Sequence, residues 1–314
     1  MAVYLVTGGA GFIGSHIVEA LVTRGEHVRV LDSFSSGKRG NLQFPDNKRA
    51  PNLEVIEGDI RNLDVMRQAT SGVDYVLHHA ALVSVAQSMA DPQMAHAVNV
   101  TGTLNVLLAA REAGVRRVVF ASSAAVYGGN DALPLRETAV PRPLSPYAAS
   151  KLAGEAYCRM FCAAYNLPTV CLRYFNVFGP RQDPNSQYAA AIPKFITALL
   201  RGESPTIYGD GTQSRDFIHV ANVVLANLLA CGKEEAVGQV VNIACGGRRT
   251  VLDLYRDLAT LIGTTLQPAF ASARAGDVKH SLAAIDQATR VLGYKPKVEW
   301  RDGLRDTVHW YTNL

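Results

Sequence analysis

Short runs of β-branched and other apolar residues recur along the first half of the chain: Val3-Tyr4-Leu5-Val6, Val28-Arg29-Val30-Leu31, Val55-Ile56, Tyr75-Val76-Leu77, Val118-Val119-Phe120 and Thr169-Val170-Cys171-Leu172. Runs this continuous mark strands covered on both faces, as in a parallel sheet. Between them, apolar positions at helical spacing predict helices over about 12–24, 62–70, 93–113 and 147–165. Repeated βα alternation predicts an α/β fold with a doubly wound parallel sheet.

Beyond about residue 175 the pattern becomes irregular, with loops such as Gly179-Pro180-Arg181-Gln182-Asp183-Pro184-Asn185 and Tyr208-Gly209-Asp210-Gly211. This predicts a first domain over 1–175 and a smaller C-terminal lobe over 176–314. Part of 215–245 is expected to return to the first domain, because Gln239-Val240-Val241-Asn242-Ile243 reads as one more strand. Internal repeats and low-complexity tracts are absent from the sequence.

Composition narrows the class. The 314 residues are 48% hydrophobic and 18% charged, with 31 Lys+Arg against 27 Asp+Glu and a net charge of +4. Length and hydrophobicity suffice for a sizeable core. Basic residues occur in blocks no longer than Arg116-Arg117 or Arg248-Arg249, which argues against nucleic acid as a partner. No apolar run reaches the ~18 residues of a membrane span, and the start shows no secretory pattern, so a cytoplasmic protein is expected. Cys158, Cys162, Cys171, Cys231 and Cys245 form no C-x-x-C pair. They read as reduced, mostly buried thiols, and no metal site is expected.

The candidate chemistry begins where the first strand runs into Thr7-Gly8-Gly9-Ala10-Gly11-Phe12-Ile13-Gly14. Glycines at 8, 11 and 14 permit a tight turn, close approach to a pyrophosphate and close packing of helix on strand. The second strand ends in Asp32, where a carboxylate accepts from ribose hydroxyls and repels a 2′-phosphate. NAD is therefore favoured over NADP. Lys38 and Arg39, just downstream, either argue the other way or are solvated. Asp59, ending the third strand, suits the adenine edge. In Tyr147-Ala148-Ala149-Ser150-Lys151, the i to i+4 spacing puts phenol and ammonium on one helical face. A nearby cation favours the phenolate, a general base. Ser122-Ser123 end a strand on the edge where open α/β sheets bind ligands.

With these residues the sequence resembles an extended short-chain dehydrogenase/reductase and, within that group, a nucleotide-sugar 4-epimerase. The resemblance spans nearly the whole chain: TGGAGFIG (7–14), LDSFSSGKRGNL (31–42), GDIRN (58–62), HHAAL (78–82), NVTGT (99–103), ASSAAVYG (121–128), SPYAASK (145–151), RYFNVFGP (173–180), GDGTQSRDFIHV (209–220) and RAGDVKHS (274–281). It implies a Rossmann sheet, bound NAD and a UDP-sugar substrate. Ser123 and Tyr147 would contact the reacting hydroxyl, while Lys151 would hold the nicotinamide ribose and tune Tyr147. The implied cofactor residues are Gly8, Gly11, Phe12, Ile13, Gly14, Asp32, Ser33, Ser35, Ser36, Gly37, Asp59, Ile60, His79, Ala80, Ala81, Asn99, Ser122 and Tyr174, with Tyr147 and Lys151.

For the substrate, the resemblance puts Asn176, Arg215 and Arg274 at the diphosphate and Tyr208 against the uracil. Ala190, Ile192, Asn242 and Asp277 line the same site. Arg215 beside Asp216 also reads as a surface pair, and Tyr208 as core packing. Related dehydratases place an acid just after the catalytic hydroxyl, whereas this segment is Ser123-Ala124-Ala125-Val126-Tyr127. Epimerisation needs one base and a hydride acceptor. Ser281 matches the position bounding the sugar's C2 side, where a small residue leaves room for an N-acetyl group, and Ser84 could add a polar contact there. UDP-GlcNAc and UDP-GalNAc are thus the expected substrates, together with UDP-Glc and UDP-Gal. UDP-glucuronate would need a further C6 contact. A homodimer is also implied, formed through the helices at about 93–113 and 147–165. Leu104, Leu107, Leu108, Leu152, Met160 and Phe161 face either a partner or their own sheet.

Overall fold

Each apolar run of the first half forms a strand in the computed structural model, which describes residues 1–44, 51–130, 132–184, 191–273 and 279–314. They are β1 (Val3–Thr7), β2 (His27–Asp32), β3 (Leu53–Glu57), β4 (Tyr75–His78), β5 (Arg117–Ser123) and β6 (Thr169–Tyr174). Shorter strands follow: β7 (Asn176–Phe178), β8 (Thr206–Tyr208), β9 (Ser214–Arg215), β10 (Phe217–His219), β11 (Val240–Ile243), β12 (Arg249–Thr250) and β13 (Ala269–Ala271). The helices are α1 (Phe12–Thr23), α2 (Leu63–Thr70), α3 (Val85–Ala90), α4 (Pro92–His96), α5 (Gly102–Glu112), α6 (Pro146–Tyr165), α7 (Ala191–Leu200), α8 (Val220–Gly232), α9 (Val251–Ile262), α10 (Asp286–Leu292) and α11 (Trp300–Thr312).

Seven strands make one parallel sheet in the order β11-β6-β5-β4-β1-β2-β3. The order reverses between β1 and β4, so the connections leaving their carboxyl ends diverge to opposite faces and open a crevice. Two apolar layers cover the sheet. One packs Ile17, Val18 and Leu21 of α1 with Val223 and Ala230 of α8 against Val6, Val30 and Leu172. The other packs Met66 of α2, Val106 of α5 and Phe161 of α6 against Leu5, Val118 and Phe120. A separate core lies between α7, α9 and α11, around Ile196, Leu254 and Leu304.

The expected return of residues 239–243 is real: β11 pairs with β6 from Val240 against Cys171 to Ile243 against Tyr174. The expected helix over 93–113 is interrupted. A π-helical turn at Ala97–Thr101 separates α4 from α5. There the buried Asn99 amide accepts from Leu82 N at 2.7 Å and donates to Leu82 O at 3.0 Å and to Ser150 Oγ at 2.9 Å. Such turns concentrate at functional sites. Helix α6 starts at Ser145, whose hydroxyl accepts from Ala148 N at 3.1 Å, with Pro146 in its first turn.

Candidate active site

Parallel strands bring the cofactor candidates to one edge. Gly8, Gly11, Phe12, Ile13 and Gly14 follow β1; Ser33, Ser35, Ser36 and Gly37 follow Asp32 at the end of β2; Asp59 and Ile60 follow β3; His79, Ala80 and Ala81 follow β4. At Gly8 the backbone has φ +69°, and a Cβ there would lie 2.6 Å from Ala80 N. A Cβ on Gly14 would lie 2.2 Å from the Gly8 carbonyl oxygen. No side chain caps the N-terminus of α1, and its first turn carries no acid. The glycines thus let the turn pack directly on the backbone after β4 and on itself, and the bare helix terminus beyond it suits a pyrophosphate.

Asp32 is 7% exposed and accepts from Ala10 N at 2.9 Å and Phe34 N at 2.8 Å, so it also holds the glycine turn. Lys38 pairs with Asp183 at 3.0 Å, and Arg39 pairs with Glu57 while lying 4.0 Å over the Phe34 ring. Both cations lie at the surface beside carboxylates. Hydrogen bonds from Arg61 hold the Asp59 carboxyl below its ordinary range. His79 shares a hydrogen bond with the Tyr174 hydroxyl at 3.0 Å, and Tyr174 is tied in turn to Asn227. Burial pushes His79 down to about 4, so it is neutral at physiological pH.

Ser123 ends β5, where its hydroxyl accepts from Ala125 N at 3.1 Å and acts on the Tyr147 phenol to favour its ionised form. The Tyr147 N–H donates to Ser88 Oγ at 3.1 Å. One turn on, Lys151 is 4% exposed, donates Nζ to the Ala121 carbonyl at 2.8 Å and lies 5.9 Å from the Tyr147 ring centroid. The spacing predicts a lowered phenol pKa; the structure differs. Burial raises Tyr147 and lowers Lys151 to about 8. Desolvation outweighs charge attraction at this separation.

A cavity of about 640 Å³ lies between α7 and β7–β9. Asn176, Ile192, Tyr208 and Arg215 all line it, so four of the expected substrate residues converge. Arg215 Nη1 donates to the carbonyls of Ser214 at 3.0 Å and Lys279 at 3.1 Å. Ser281 bonds Ser214 backbone to backbone at 3.0 Å, beside Arg215. Ser84 caps α3 by accepting from Gln87 N at 3.1 Å. Ala190, Arg274 and Asp277 lie outside the described residues.

Two assignments need correction. Asn242 is 0% exposed, and its amide is taken by Tyr127, Leu135 and Ala284, so it is a core residue. The Ser122 hydroxyl, 3% exposed, donates to Glu155, so a contact from Ser122 to the cofactor would fall to its backbone. Sequence reasoning also missed Lys194, which lines the cavity. Its signal was a lone cation within the apolar AIPKFITALL of α7. Among the described residues no cluster of His, Cys, Asp or Glu suits a metal.

The model of the NAD dependent epimerase/dehydratase family matches residues 4–244. The chain belongs to that family. NAD is the family's cofactor, and the glycine cradle, Asp32 and the uncapped α1 terminus fit it. Similar members include the UDP-glucose 4-epimerase of Mycolicibacterium smegmatis, 39% identical over 98% of both chains. The dTDP-D-glucose 4,6-dehydratase of Mus musculus is 35% identical over 98% of this chain and 88% of its own. Among solved structures, the UDP-N-acetylglucosamine 4-epimerase of Methanobrevibacter ruminantium in complex with UDP-N-acetylmuramic acid superposes with a TM-score of 0.94. It is 42% identical over 99% of this chain and 98% of its own.

Proposed function

We propose that this enzyme inverts C4 of UDP-sugars, interconverting UDP-GlcNAc with UDP-GalNAc and also UDP-Glc with UDP-Gal. The observation that carries this reading is the Ser123–Tyr147–Lys151 set at the end of β5, with Lys151 buried and Ser123 and Tyr147 half-buried, on the sheet edge that also bears the glycine turn. Asn176, Tyr208 and Arg215, lining the nearby cavity, supply an amide, an aromatic face and a guanidinium for the nucleoside diphosphate. When bound, NAD supplies a hydride acceptor and donor at C4. Tyr147 removes the C4 hydroxyl proton and later returns one, with Ser123 holding that hydroxyl in line. The Lys151 ammonium favours the phenolate and holds the ribose. Arg215 and Asn176 keep the diphosphate in place while the 4-keto sugar presents its other face.

No carboxylate occurs from Ser123 to Tyr127, which favours epimerisation over dehydration. For the N-acetyl group the reading rests on the small side chain at Ser281, whose N–H donates to the Ser214 carbonyl next to Arg215. The reading extends to a cytoplasmic homodimer. Its five cysteines are free thiols, and among the described residues no helix is long and apolar enough to cross a membrane.

The test is proton NMR of UDP-GlcNAc and UDP-Glc incubated with purified enzyme, without and with added NAD. Inversion of both supports the reading, and inversion of UDP-Glc alone rejects the acetyl pocket. If neither inverts with NAD present, the proposed substrates are wrong and UDP-glucuronate is next. Ser281→Tyr is expected to lose the acetylated pair selectively.

A further inference from the structure

The two reassigned residues, Ser122 and Asn242, belong to one buried polar network behind the reacting groups. Its hub is Glu155 on α6, 3% exposed and one helical turn beyond Lys151. Glu155 Oε1 accepts from the Ser122 hydroxyl and from Arg173 Nε at 2.8 Å, and Oε2 accepts from Arg173 Nη2 at 2.7 Å. The Arg173 guanidinium lies 4.7 Å from the Tyr127 ring centroid. Tyr127 donates to Asn242 Oδ1 at 2.6 Å, and the Asn242 amide donates to the carbonyls of Leu135 at 3.0 Å and Ala284 at 3.3 Å.

A buried ion pair is a poor stabiliser against apolar groups of the same volume, because desolvation cancels most of its attraction. Its placement is more telling. Ser122 immediately precedes Ser123, and the backbone of Ala121 accepts from Lys151. Glu155 therefore grips the strand end from which both reacting side chains are held. The groups around Lys151 are Tyr147, Glu155 and Cys158 of α6, with His78 at the end of β4 and His79 just after it. Arg173 and Cys171 of β6 lie behind Glu155. Burial keeps both histidines neutral and is also the largest influence on Lys151, which it lowers; Cys158 and then Glu155 act the other way, toward the charged ammonium.

We propose that Glu155 is a positioning residue for the epimerase reaction: through Ser122 it fixes the strand end that bears Ser123 and whose Ala121 carbonyl holds Lys151. The inference rests on the reading of Ser123, Tyr147 and Lys151 given above. Small misplacements of reacting groups cost up to about 100-fold in rate.

The experiment compares wild type with Glu155→Gln by NMR-monitored epimerisation across a pH range spanning 8, with bound NAD and melting temperature measured on the same samples. Expected are a fall in kcat of about 10- to 100-fold, nearly unchanged KM and NAD content, and an alkaline limb displaced to lower pH. An unchanged profile overturns the proposal, as does a loss of kcat, substrate affinity and NAD in proportion to lost folded protein. Should Glu155→Gln not fold, Ser122→Ala removes one hydroxyl alone. Lowered kcat at unchanged KM supports the proposal and wild-type kcat overturns it. A wild-type enzyme without turnover, or full turnover in Tyr147→Phe, overturns the catalytic reading itself.

Discussion

Tyr147 and Lys151 share a water-poor pocket in which burial presses both toward their neutral forms. Removing the phenol oxygen leaves the fold's contacts intact while deleting the proton carrier. Tyr147→Phe is expected to lower turnover by about 10²–10⁴-fold with NAD content unchanged, measured by NMR and by cofactor released on denaturation. His16 gives a residue-scale prediction about stability. Desolvation pushes its folded pKa from 6.5 down to about 4, so the unfolded chain binds its proton first between those values. Stability therefore falls as pH drops through that window, by at most about 1.4 kcal/mol per unit for one such group. Asp216, raised from 3.8 to about 6 by burial, acts oppositely, because its folded form takes up the proton first. The two histidines pushed to about 4, His16 and His79, outnumber it. The melting temperature should fall between pH 6.5 and 4, and His16→Asn should flatten that fall.

At the scale of elements, the strands were legible because a parallel sheet buried on both faces leaves few polar positions to blur the pattern. The glycine turn, Asp32 and the Tyr147–Lys151 spacing were legible for a similar reason: each is local, and its chemistry needs a fixed offset along the chain. What sequence could not give was the side on which a polar group spends its hydrogen bonds. Ser122 stands in a motif of the site and Asn242 in the strand β11, yet their partners Glu155, Tyr127 and Leu135 come from elsewhere in the chain. The break between α4 and α5 was equally hidden, since Asn99 ties the backbone at Leu82 across the fold. Seating of α6 on β5 depends on Gly154, where a Cβ would lie 2.4 Å from Phe120 Cζ. Alanine would gain about 1 kcal/mol of helix preference. The overlap costs about 1–3 kcal/mol, so Gly154→Ala should lower the urea midpoint.

Across the whole molecule, the sequence pattern separated two lobes, but three-dimensional contacts sew them together. Arg181 pairs with Glu19 and bonds Ser15 of α1, and Lys38 reaches Asp183, so the connection after β7 is tied to the cofactor side. Assembly belongs to this scale as well. Leu107 and Phe161 are fully buried in the chain's own core, whereas Met94 on α4 and Met160 on α6 are each 38% exposed. Leu104, Leu108 and Leu152 pack on the chain's own cores as well, so the proposed dimer rests on the resemblance. Sedimentation at micromolar concentration is expected to give twice the chain mass, and a monomer there would reject it.

The seventh strand bears on synthesis. During translation β6 leaves the ribosome with one edge open, and β11, which pairs with that edge in the finished sheet, is made after β7–β10 and α8. Until Ile243 emerges, a wholly buried strand offers unpaired amides and carbonyls to any other chain nearby. A fragment ending near residue 175, though it carries the glycine cradle and all three reacting side chains, would keep that edge for its lifetime and should aggregate when expressed alone.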